Sequence, residues 1–126
     1  MDKAQLTKPS KRDRLSGAVA DTALKLLPLV ELLNRIRPHV ENDSVFSSRR
    51  GKIRAQLQLV REQLHAERPR HEALADAFHT LSEFVREEVQ EVSRDEAKES
   101  AKRFVWATLK NAPALINAAQ QAGLLK

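Results

Sequence analysis

Residues 48–92 read SRRGKIRAQLQLVREQLHAERPRHEALADAFHTLSEFVREEVQEV. Two apolar seams run through this stretch. Ile53, Leu57, Val60 and Leu64 are spaced four, three and four, the pattern of a helix packed along one narrow face. Leu74, Phe78, Leu81, Val85 and Val92 continue it beyond Pro69, with Ala77, Phe84 and Val89 widening the stripe. Proline pushes the residue before it out of the α region, so Arg68-Pro69-Arg70 reads as a tight turn. Folding the chain there pairs Leu64 with Leu74, Val60 with Phe78, Leu57 with Leu81 and Ile53 with Val85. The residue numbers of all four pairs sum to 138. The expected fold is all-α, a small four- or five-helix bundle built around an antiparallel helical hairpin (about 48–67 and 70–92). Ser47 or Ser48 serves as N-cap of its first arm.

Upstream, Leu15 to Arg37 is apolar on most sides, as expected of a helix with several neighbours. Pro28 predicts a kink there or a fresh helix start, and Pro38 marks the end of the region. Glu41 to Ser44 reads as a loop. Residues 1–14 are polar and basic and read as a flexible arm, leaving 15–126 as one helical domain.

Downstream, Ser93-Arg94-Asp95-Glu96 has the form of a capping box, with Ser93 as N-cap, unless the helix runs straight through it. A fourth helix would present Ala97, Ala101, Phe104, Val105, Thr108, Leu109 and Ala112. Pro113 interrupts it. A short last helix over 114–122 ends at Gly123, a residue suited to the left-handed position that follows a helix.

The composition agrees with helix. Three Gly, no Cys, no Tyr and four Phe are present, with few β-branched runs. The absence of Cys excludes disulfides, thiolate metal sites and cysteine nucleophiles. Met1 to Leu15 lacks the apolar stretch of a signal peptide. Ala18 to Leu33 is interrupted by Asp21, Lys25, Pro28 and Glu31 and is too short to span a bilayer. A cytoplasmic protein with no transmembrane segment is expected. The net charge of +5 is uneven: residues 1–72 carry +6 and residues 73–126 carry −1.

The chemistry-bearing residues point away from catalysis. No Arg stands five to seven residues before His39, His65, His71 or His79, so the Arg–His signature of small helical ribonucleases is missing. Glu72, Asp76, His79 and Glu83 share one helical face, but it lies opposite the apolar stripe and reads as solvated. No catalytic, cofactor or metal site is assigned, and no enzyme activity is expected.

The strongest charge feature is Arg49, Arg50, Lys52 and Arg54 at a helix start, with Arg61 two turns on. Cations beside free backbone N–H groups suit phosphate or nucleic acid. Pairing of Arg50 with Glu88 and of Arg49 with Glu87 across the hairpin is the competing reading. The apolar surplus in Leu26, Leu29, Leu33, Leu115, Leu124 and Leu125, together with Trp106, offers an interface. These residues either cover one another or are covered by a second copy in a homodimer. The resulting expectation is a non-catalytic protein–protein interaction module, a bacterial or phage adaptor or regulator. A nucleic-acid-binding regulator is the alternative, and a small metal-dependent or toxin-like enzyme comes third.

Overall fold

The computed structural model describes residues 26–42 and 44–126. The basic arm, the first part of the expected first helix and Asp43 lie outside the described residues. Among the described residues every regular element is helical: α1 Leu27–Val40, α2 Arg50–Leu64, α3 His71–Gln90, α4 Glu96–Leu109 and α5 Ala112–Gln121.

Each helix begins and ends for a local reason. Pro28 and Pro113 sit in the first turns of α1 and α5, where a missing N–H costs nothing. Pro28 therefore starts a helix rather than kinking one. Pro38, expected to end α1, lies inside it, and the helix runs on to Val40. In the last turn it removes a single hydrogen bond, to a carbonyl on exposed Asn34 that water can satisfy.

The cap of α2 is Arg49, not Ser47 or Ser48, and it makes no side-chain capping bond. Ser48 Oγ instead donates to Glu91 Oε1 at 3.2 Å. Helix α2 stops at Leu64, earlier than Pro69 demands, and Gln63 Oε1 accepts the Arg70 N–H at 3.0 Å across the turn.

The capping box expected at Ser93 is displaced. Asp95 is the N-cap of α4, its side chain accepting from the Lys98 N–H at 3.1 Å, while Ser93 Oγ accepts the Asp95 N–H. Helices α3 and α4 are therefore separate. Because α3 ends at Gln90, Val92 falls off its stripe and is 84% exposed. Gly123 takes φ +75° and closes α5 with two bonds, Gly123 N–H to Gln120 O and Leu124 N–H to Ala119 O, both 3.0 Å.

Helices α2 and α3 pack against one another more extensively than any other pair. Arg49 at the start of α2 meets Glu87 near the end of α3, so the two run antiparallel. Ile53, Leu57, Val60, Leu64, Leu74, Phe78, Leu81 and Val85 are all buried. Helix α4 packs on α3, and α1 rests on α4, α5 and α2.

The apolar surplus of α1 is thus covered by the chain itself. Leu26, Leu29, Leu33 and Leu125, expected at an interface, are buried in its core. The reversal at Gly123 turns Leu125 inward, and the Lys126 N–H bonds Pro69 O at 2.7 Å, tying this segment to the α2–α3 turn. Phe46, in the loop after α1, is fully buried and plugs the same core. Phe104, expected on the apolar face of α4, is 44% exposed and stands edge-on to His39 at 5.3 Å.

Candidate functional site

A cavity of about 420 Å³ forms a half-open groove between α3, α4 and α5. Its floor is Phe78, Leu109 and Ile116, all buried. Ala75 and Ser82 form one wall, and half-buried Trp106 forms the other. The rim carries His71, His79, Glu83, Lys110 and Asn117.

Helical periodicity explains the groove. Ala75, His79 and Ser82 follow a flank of α3 one position beyond the core stripe Leu74–Phe78–Leu81. Two of those three are small, so the space between α3 and α4 stays open. Trp106 holds its place by lying under Lys110, whose Nζ is 4.9 Å from the ring centroid. Glu83 accepts from Arg86 at 2.6 Å, and this bond holds its carboxyl below the usual carboxylate range.

The four residues expected to share a solvated face lie along one side of α3, with Glu72, Asp76 and His79 exposed and Glu83 half-buried. His79 and Glu83 belong to the groove, whereas Asp76 lines a different cleft with Gln56, Leu59 and Gln63 of α2. Among the described residues no three His, Asp or Glu side chains gather in a way that holds a metal ion.

The basic start of α2 is divided. Arg49 is half-buried and bonds Glu87 at 2.8 Å, Glu88 at 3.2 Å and also Glu91. The hydrogen bond to Glu91 is the main reason its guanidinium holds its proton more tightly than usual, and the same bond lowers Glu91. Arg49 is thereby engaged by three carboxylates of α3 and its C-terminal end. Arg50 is half-buried. Lys52 is exposed with its Nζ 5.7 Å from the Phe84 centroid, Arg54 is exposed and Arg61 is half-exposed.

The residues expected at an interface also separate. Leu26, Leu29, Leu115 and Leu124 surround a smaller cavity of about 160 Å³ between α1 and α5, while Trp106 belongs to the large groove. The large hydrophobics left exposed among the described residues are Leu27, Leu59, Val92 and Phe104.

A second polar cluster was not anticipated. Lys102 and Glu99 are each 6% exposed and Glu88 is 1% exposed. Lys102 Nζ stands 3.6 Å from Glu88 Oε1 and 3.5 Å from Glu99 Oε2, and donates to the Glu88 and Glu91 carbonyls. Glu99 Oε2 also accepts the Ser93 N–H at 3.0 Å. The cluster staples the α3–α4 junction and so positions the groove wall. No helix among the described residues is long and apolar enough to cross a membrane. Comparison with protein-family models, curated proteins and solved structures finds no match to this chain.

Proposed function

We propose that this chain is a non-catalytic helical interaction module that takes a protein partner along the α3–α4–α5 groove. One observation carries the reading. The groove is a concave surface of about 420 Å³ with an apolar floor, and the chain's single Trp is half-exposed in its wall. Tryptophans in such positions anchor interfaces, because truncating them removes a large, well-packed contact.

A nucleic-acid-binding regulator is the second reading, favoured by the exposed Lys52 and Arg54 with Arg61 beyond them on α2. It is weakened by the engagement of Arg49 with three carboxylates. A second copy is not needed to cover Leu26, Leu29, Leu33 and Leu125, which are buried within one chain.

The test is affinity capture from extract of the source cells, with and without nuclease treatment, on three immobilised proteins. These are the wild type, Ala75→Gln, which fills the groove without adding charge, and the double variant Arg54→Glu, Arg61→Glu. Circular dichroism confirms that all three keep their helicity. The expected result is a defined protein held by the wild type and the double variant and lost from Ala75→Gln. Capture that needs Arg54 and Arg61, or that vanishes with nuclease, contradicts the reading in favour of nucleic acid.

A further inference from the structure

We propose that the occupant of the groove is an acidic amphipathic helix of another protein, its apolar face against Trp106, Ala75 and Pro113 above the buried floor and its carboxylates against Lys110 and Arg103. This deepens the interaction reading and rests on it.

The first support is where polarity lies. The floor is wholly apolar, and the polar groups stand above it: His79, Lys110 and Asn117 are exposed, and His71, Ser82 and Glu83 are half-buried. Small-molecule sites fix their ligands by a few polar groups placed inside the pocket. An amphipathic helix needs only an apolar floor and a complementary rim.

The second support is the rim's charge. Glu83 is the groove's carboxylate, and Arg86 already holds it at 2.6 Å. Lys110 and Arg103 make no ion pair among the described residues. Arg103, Trp106 and Lys110 follow one another at helical spacing along the same side of α4. Lys110 on the rim, and exposed Arg103 two turns before it on α4, are thus cations without ion-pair partners among the described residues, beside the exposed part of Trp106. A partner with acidic flanks gains both apolar burial and charge complementarity, and one with basic flanks meets like charge.

The third support is length. Ala75 and Ser82 are seven residues apart on α3, a rise of roughly 10 Å, or two helical turns. That span receives two apolar anchors of a docked helix.

The experiment is selection of displayed helical peptides with randomised faces against the full chain, followed by measurement on Ala75→Gln and on the double variant Arg103→Glu, Lys110→Glu. Expected are net-acidic peptides with apolar residues at three- or four-residue spacing. Their affinity should drop at least about tenfold on charge reversal of the rim and should weaken with added salt. Selected peptides with basic or neutral flanks that still fail on Ala75→Gln overturn the acidic chemistry and leave the groove reading standing. Peptides that bind Ala75→Gln as well as wild type, or no enrichment at all, overturn both.

Discussion

Lys102 sits on the stripe of α4 that also carries Val105 and Leu109, and its ammonium group is drawn into the interior. Taking an ammonium out of water is costly unless opposite charge and hydrogen bonds meet it there. Glu88, Glu99 and two carbonyls at the end of α3 do so. Replacing Lys102 with Met keeps the apolar stem and strands two buried carboxylates. The expected destabilisation is about 3–5 kcal/mol, read from urea unfolding followed by circular dichroism. The further change Glu88→Leu should restore part of it, because the two positions share one interaction. Composition alone misleads at this point, since Lys and Glu are almost never fully buried unless paired. The legible sign was positional: Glu88 lies three residues after Val85, and Lys102 three before Val105, so both fall on core stripes.

At the scale of elements, the same pairing principle joins α2 to α3. Cations at a helix start and carboxylates at a helix end each oppose the helix macrodipole. Antiparallel packing brings the two misfits together, and Arg49 with Glu87, Glu88 and Glu91 relieves both. Arg49 lowers the proton affinity of Glu91 in the folded chain, so the ionised carboxylate favours folding. That contribution is complete above the unfolded carboxylate range, roughly pH 4–5, and is lost as pH falls through the lower folded value. The wild type should therefore be more stable than Arg49→Gln at pH 7, and thermal melts should show the gap closing towards pH 3.

The helices and their order were readable because apolar spacing and proline position are local signals. Their ends were less so. Pro38 is tolerated because the last turn has little left to lose. Ser93 yields the cap to Asp95 because Glu99 reaches back to the Ser93 N–H and holds it outside the helix.

At the scale of the whole fold, five helices among the described residues bury most of their leucines and leave an apolar-floored trough of about 420 Å³. The trough was hidden in the sequence because it belongs to no single element. Its floor comes from α3, α4 and α5, and it exists because Ala75 and Ser82 are small where larger residues would close it. Trp106 alone of its lining was legible as an anchor, from its offset beside the α4 stripe. The basic row on α2 was legible in full, and the hairpin register gave Arg49 its partner Glu87, whereas its contacts with Glu88 and Glu91 depend on side-chain reach that register does not fix.

The protein has a single Trp, so its emission reports on the groove wall without any label. Iodide quenching of Trp106, with and without a bound Trp-free acidic helical peptide or captured partner, tests the docking face most directly. Binding should shift the emission to shorter wavelength and lower the quenching constant. Saturating binding that leaves Trp106 as accessible as before would place the partner elsewhere and contradict the proposed docking face.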